Sequence, residues 1–418
     1  MVPGREVVKV AGGEYIPGLM PPWGRAHILV VLVAAVLPAC GSEPLSPSDP
    51  VTEPFASVAA GTAHTCGVTV GGIAYCWGLN QYGQIGDGSR SDRPLPILVA
   101  TTLRFATLTG GGGHTCGRTS AGTAYCWGIN LSGQLGSGPA GDRLLVPAAV
   151  SGGLTLGWIA AGGAFTCGLA ADSTASCWGW NALGQLGDLS RSDRSAPVAV
   201  AGGLKLVSLH AGTWHVCAVA ADSSAYCWGR NAEGALGNGA TTDTAGPVAV
   251  QGGLKFVSVT AGSYHSCALT ASGDAYCWGD GQFGQLGDST GGSTTPRLVL
   301  GGHTFVAIAA GATHTCALAT GGAGYCWGND TNGQLGTSVP LEVCAGTRVG
   351  DVLCSLIPVP VAGGLSFASL TTGFHHTCGV TTAGLAYCWG LNDFGQLGSQ
   401  AGRGSILPVR VANQRTAP

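Results

Sequence analysis

Ala74-Tyr75-Cys76-Trp77-Gly78 is followed, six residues after its tryptophan, by Gly83-Gln84-Ile85-Gly86. This pair of motifs returns along the whole chain. Its tryptophans are Trp77, Trp127, Trp178, Trp228, Trp278, Trp327 and Trp389, each preceded by Cys and followed by Gly. Gly133, Gly184, Gly234, Gly284, Gly333 and Gly395 match Gly83. A fixed motif at a fixed period defines a repeat architecture. Repeats stack into one continuous body, so the 418 residues do not imply several domains. Within one unit, Phe256-Val257-Ser258-Val259-Thr260-Ala261-Gly262 alternates as a strand does. His265-Ser266-Cys267-Ala268-Leu269 reads as a second strand, and Ala275-Tyr276-Cys277-Trp278-Gly279 as a third after a turn. A proline introduces a fourth, as in Pro247-Val248-Ala249-Val250. Four short antiparallel strands per repeat of about 40–50 residues is a propeller signature. The expected fold is all-β, a single seven-bladed β-propeller of four-stranded antiparallel blades over residues 55–413, with a tail at 414–418.

Sixteen of the 17 cysteines fall into couples ten residues apart. They are Cys66 and Cys76, Cys116 and Cys126, Cys167 and Cys177, Cys217 and Cys227, Cys267 and Cys277, Cys316 and Cys326, Cys344 and Cys354, and Cys378 and Cys388. An even set at constant spacing reads as a disulfide framework formed in an oxidising compartment. A zinc site needs four clustered ligands, which single couples do not supply. In an antiparallel hairpin, opposed residues have a constant sum. Cys66 opposite Cys76 therefore sets Val68 opposite Ala74 and the turn at Val70-Gly71-Gly72. Directly opposed Cβ atoms come near disulfide range. The couple Cys344 and Cys354 lies in an insertion that lengthens the sixth repeat.

Cys40 has no partner in this scheme. It follows Arg25, an apolar run over residues 28–37 and Leu37-Pro38-Ala39, which together have the form of a secretory signal. Residues 1–40 are expected to be that signal, with Met20 as the true start; a Cys directly after the small residue resembles a bacterial lipoprotein signal, which implies Cys40 as a lipidated first residue. Residues 41–54, rich in Pro, Ser and acid, read as a flexible tether. The expected location is outside the cytoplasm: an anchored lipoprotein of an outer or cell-surface membrane, otherwise periplasmic or secreted.

Gly is 73 of 418 residues and charged residues make up 9%, with a net charge of −3. The chain has three lysines, Lys9, Lys205 and Lys255, and no basic stripe. Phosphate neutralisation by Lys and Arg drives nucleic-acid binding, so that class of partner is disfavoured. Gly287-Asp288-Ser289-Thr290-Gly291 has the form of a nucleophile elbow but sits in a repeat loop without the strand–turn–helix setting that motif needs. No catalytic constellation, metal site or cofactor is expected.

The order His-(Thr/Ser)-Cys-Ala-Leu, Tyr-Cys-Trp-Gly, Asn, Gly-Gln-Leu-Gly resembles the regulator of chromosome condensation repeat over roughly residues 55–411. The resemblance implies a seven-bladed propeller. Cysteines inside the hairpin depart from the eukaryotic pattern and are similar to those of exported bacterial members. Three functions follow from the resemblance. The first is a protein-interaction scaffold outside the cytoplasm. The second is a secreted enzyme inhibitor of the β-lactamase-inhibitor type. The third is guanine-nucleotide exchange, which export and disulfides disfavour. The expected chain is a monomeric non-enzyme that binds a protein or another envelope macromolecule.

Where copies agree, the residue serves every blade alike. This is the reading for the tryptophans and for His64, His114, His215, His265, His314 and His376, which Phe165 replaces in the third copy. Partner choice lies where copies differ. The variable positions precede the recurrent His or lie between Trp-Gly and Gly-Gln, and the hairpin sum sets both on one rim. Tyr82, Trp180, Trp214, Arg230, Tyr264, Phe283, Phe374 and Phe394 are the candidate binding residues, being of types enriched in binding hot spots; the alternative reading is that these aromatics pack on neighbouring blades.

Overall fold

The computed structural model describes residues 50–414. The expected signal, the Met20 start and Cys40 lie outside the described residues, as does most of the tether. The described chain forms seven antiparallel sheets, and no helix among the described residues is long and apolar enough to cross a membrane. The first blade runs in sequence order through β1 (Phe55–Ala60), β2 (His64–Thr69), β3 (Ala74–Gly78) and β4 (Arg93–Leu98). Six further blades repeat the plan over residues 105–149, 156–199, 206–249, 256–298, 305–360 and 367–410. Their innermost strands line a central channel of about 370 Å³.

The register follows the hairpin arithmetic. Cys66 opposes Cys76, Val68 opposes Ala74 and His64 opposes Gly78. All eight cysteine couples are bonded. In the first blade the two Cα atoms are 4.0 Å apart, the close spacing of a non-hydrogen-bonded antiparallel pair. The insertion differs: Cys344 opposes Val352 and Glu342 opposes Cys354, so that disulfide runs diagonally across its hairpin with a Cα separation of 5.9 Å.

Each repeat hands its Gly-Gln-Leu-Gly turn to the next blade. The buried Trp127 indole donates to the Gln84 carbonyl at 2.9 Å, and Trp228 to that of Gln185 at 3.0 Å. The glycine that closes the turn is required: Gly86 has φ +78°, and a Cβ there would come within 2.6 Å of Trp127 Nε1. The recurrent histidines form a second inter-blade link. His64 Nε2 lies 2.9 Å from Thr115 Oγ1, whose own proton goes to the Gln84 carbonyl at 2.8 Å. The hydroxyl proton being committed, His64 donates through Nε2 and its Nδ1 is left bare against Gly61. Burial holds the His64 pKa down at about 4 and that of His114 at about 3, so these rings are neutral. The one histidine missing from this set has a matching change. Phe165 faces the fourth blade, where Val216 stands in place of Thr or Ser, so both ends of that link are apolar.

Spacing leaves open which blade the fourth strand joins. A circularly permuted repeat would set the last strand beside residues 55–61. Instead Gly404–Arg410 pairs with Ala386–Leu391 in its own blade. The reason is that the Gly-Gln-Leu-Gly turn already crosses to the neighbouring blade. Trp77 Nε1 donates to the Gln396 carbonyl at 3.0 Å, and Thr65 Oγ1 does so at 2.8 Å. The seventh-to-first junction thus carries the same pair of bonds as the first-to-second, where Trp127 and Thr115 donate to the Gln84 carbonyl. It is reinforced by Val51, whose N–H bonds to the Asn413 carbonyl at 3.1 Å and which bridges Gln414.

Candidate functional site

The two variable positions of each repeat are joined by a backbone hydrogen bond. The residue after Trp-Gly donates its N–H to the carbonyl of the residue before the recurrent His. Trp180 donates to Ala164 at 2.9 Å, Arg230 to Trp214 at 3.1 Å and Asp280 to Tyr264 at 2.9 Å. Between blades, the side chain after Trp-Gly meets the side chain before the next blade's His. Trp180 packs edge-to-face on Trp214, ring centres 5.5 Å apart. The Arg230 guanidinium carbon lies 5.3 Å from the centre of the Tyr264 ring. Blades three, four and five are thereby connected along one rim, with Trp180, Trp214, Arg230 and Tyr264 all half-buried.

A residue from the insertion completes this arc. Arg348, at the tip of the sixth-blade hairpin, sets its guanidinium carbon 5.0 Å from the Tyr264 ring centre. It forms an ion pair with Asp280 and lies 4.0 Å from Glu233 Oε1. Glu233 also holds Arg230, at 2.8 Å. Burial pushes the Asp280 carboxyl above the usual carboxylate range, and the Arg348 charge opposes that push. Hydrogen bonding to Glu233 raises the Arg230 pKa. Two guanidinium groups are therefore oriented over one tyrosine ring by two carboxylates, an arrangement that presents cation and aromatic surface together.

The other candidates do not join this cluster. Phe283 is only 3% exposed. It packs with Cys344, Val352 and Cys354 under the insertion hairpin, so it anchors that hairpin and offers nothing to a partner. Tyr82 is half-buried beside Gly113, Phe374 stacks edge-on to His375 at 4.6 Å, and Phe394 is 40% exposed on the far side, near Asp92 and Pro94. Sequence reading missed Arg348. Its one signal is that it is the cation enclosed by the inserted Cys344 and Cys354 couple.

Ser289 of the elbow-like motif has φ +60° and sits in a turn where Asp288 accepts from Thr290. No strand–turn–helix surrounds it. Among the described residues no group of three or more His, Cys, Asp or Glu could hold a metal ion.

A seven-bladed, disulfide-stapled propeller with a variable rim is a class of repeat protein built for surface contacts. Family models for the regulator of chromosome condensation (RCC1) repeat match residues 55–84, 106–134, 256–285, 305–334 and 367–396, and in a second form residues 71–117, 177–219, 222–269 and 272–318. The chain belongs to this repeat family. Its fold is similar to that of Prp20p from Saccharomyces cerevisiae, at 22% identity and a TM-score of 0.73, over 82% of this chain and 87% of that one. Human WBSCR16 is similar at 20% identity and a TM-score of 0.71, over 81% and 94%. The ectodomain of the Physcomitrella patens receptor kinase CR4 is similar at 23% identity and a TM-score of 0.53, over 81% and 74%. No curated protein matches the sequence at a significant level. Eight disulfides in hairpins are the mark of an oxidising, extracellular setting.

Proposed function

We propose that this chain is an exported, lipid-anchored interaction scaffold that binds a protein through the rim of blades three to five. Trp180, Trp214, Arg230, Tyr264 and Arg348 are its contact residues, and Cys40 is its anchor. The observation that carries the reading is the arc itself. The positions at which the repeats differ bring together two tryptophans, a tyrosine and Arg230 there, and the insertion adds Arg348. Trp, Tyr and Arg dominate interface hot spots. Prp20p, a protein of similar fold, is described by its binding to Gsp1p and histones, and in another structure it is bound to Kap60. A protein partner is therefore the natural class, with its identity set by this chain's own rim.

The test is capture from the native envelope by the chain beginning after Cys40, comparing parent with the double variant Trp214→Ala, Tyr264→Ala. Each lost anchor costs a partner about 2 kcal/mol or more, so capture should fall by well over tenfold while the melting temperature holds. A sharply lower melting temperature would assign both rings to packing and remove the rim from consideration.

A further inference from the structure

The innermost strand of each blade is a sheet edge, and its outward backbone groups face the central channel. The Gly61 N–H bonds to the His64 carbonyl at 2.8 Å, so in the alternation of an antiparallel ladder Ala60 turns its own N–H and carbonyl away from the blade. Side chains of the preceding blade cover four of the seven N–H groups at this level. Ala60 N donates to Thr371 Oγ1 at 3.3 Å, Ala161 N to Thr109 Oγ1 at 3.1 Å, Ala261 N to His210 Nδ1 at 3.1 Å and Ala310 N to Thr260 Oγ1 at 3.1 Å. The matching N–H groups of Gly110, Ala211 and Thr372 are preceded around the ring by Ala59, Ala160 and Ala309, which carry no acceptor, so they face the channel as donors.

The side chains lining the channel are uncharged. His210 is among them, and burial holds its pKa at about 4, so the ring is neutral. Because its Nδ1 accepts the Ala261 N–H, its proton sits on Nε2 as a donor. Thr109 and Thr371 likewise accept from backbone, which leaves each hydroxyl proton free to donate. The carbonyls at the Ala60 level supply acceptors beside these donors.

One large ring stands in this setting. Trp158, opposite Leu169, takes the position held by Ser57, Thr107, Ser208, Ser258, Ala307 and Ser369 in the other blades. Blade packing does not call for an indole there, since six blades are built with a small residue. Trp158 lines the channel and is 49% exposed.

We infer that the channel is a binding site for a neutral saccharide of one or two rings, with one ring stacked on the Trp158 indole. A wall without charge has nothing to pair with a phosphate, carboxylate or ammonium group, and enclosing such a group unpaired is costly. The wall offers donors and acceptors together, and a hydroxyl answers both. A sugar ring adds a face of C–H bonds, whose positive hydrogens suit the negative face of an indole. The volume of about 370 Å³ falls in the lower part of the range for small-molecule sites, which fits one or two rings rather than a long glycan.

The experiment is saturation-transfer NMR on the oxidised full chain, with glucose, galactose, N-acetylglucosamine, maltose and cellobiose each titrated to millimolar concentration. At least one sugar should bind, with transfer strongest to the C–H protons of one ring face. Trp158→Ser installs the residue that four other blades carry, and should raise the Kd about tenfold or more. His210→Ala installs the residue of three other blades and removes the Nε2 donor, which should raise the Kd about threefold or more. Thermal unfolding checks that each ring is intact, and if Trp158→Ser melts early the His210→Ala comparison stands in its place. Val146→Lys, on an exposed residue of an outermost strand, should change nothing. Failure of all five sugars to bind overturns the inference, as does binding indifferent to both channel substitutions. Equal binding of glucose 6-phosphate, which an uncharged wall should reject, overturns it as well.

Discussion

Asp330 stands where Asn80, Asn130, Asn181, Asn231 and Asn392 stand in other copies. Those asparagines close the loop from both ends of the amide. Asn80 Oδ1 accepts from Ile85 N at 3.0 Å, while its Nδ2 donates to the carbonyls of Ser89 and Ser91 at 3.2 and 3.0 Å. Asp330 keeps the acceptor half, taking the Leu335 N–H at 2.8 Å, but has no amide to donate. Burial raises its pKa from 3.8 to about 6, and the Leu335 hydrogen bond offsets part of that rise. The folded chain thus holds this proton to a higher pH than the unfolded chain. The associated stability is fully present below pH 3.8 and is lost as pH rises through about 6. At 1.36 kcal/mol per unit, ionised Asp330 costs the fold roughly 3 kcal/mol at pH 8. Asp330→Asn removes that cost and restores the donor. Urea unfolding of parent and variant at pH 4 and pH 8 should give a difference of about 3 kcal/mol in favour of Asn at pH 8 and little at pH 4. Titrations common to both proteins cancel in the comparison. A difference independent of pH, or a variant less stable at pH 8, would refute the argument.

The histidine link between blades gives a double-mutant cycle. Phe165→His alone should cost about 1–3 kcal/mol because Val216 offers no acceptor, and adding Val216→Thr should recover much of it; additive effects in chemical denaturation would show that the link contributes nothing. The buried histidines themselves, with pKa values held down at about 3 to 4, make the propeller acid-sensitive. Their folded forms bind fewer protons than the unfolded chain, so stability should fall as pH drops below about 6.5, by up to roughly 2 kcal/mol per histidine at pH 5; a flat profile between pH 7 and 5 would contradict the neutral assignment. Gly86→Ala forces a Cβ against the Trp127 indole at a positive φ and should lower stability by about 2–3 kcal/mol, read by thermal unfolding, whereas the same change at the open Gly88 should cost little beyond its own positive φ.

What the sequence determined by itself is everything that lies within one hairpin or one repeat period. Strand order, the opposition of Cys66 to Cys76, the turn at 70–72 and the shared rim of the two variable positions all follow from spacing. In the repeat hairpin, Cys66 ten residues from Cys76 sits directly opposite it, whereas the same spacing in the insertion sets Cys344 opposite Val352, so the spacing acts together with the turn the repeats share. Tertiary structure decided whatever depends on the distance between blades. The spacing of motifs cannot say whether the fourth strand stays in its own blade, and the Gly-Gln-Leu-Gly turn settles it by carrying the inter-blade contact instead. Spacing also cannot say that Phe283 is roofed by an insertion some sixty residues later, or that Arg348 on the same insertion reaches back to Asp280 and Tyr264. The apolar match of Phe165 with Val216 was in plain view in the sequence, but its meaning required the structure that sets His64 against Thr115. Local pairing is dictated by a period of two and a short loop; contacts between stacked blades are dictated by which side chains fill the space the ring encloses.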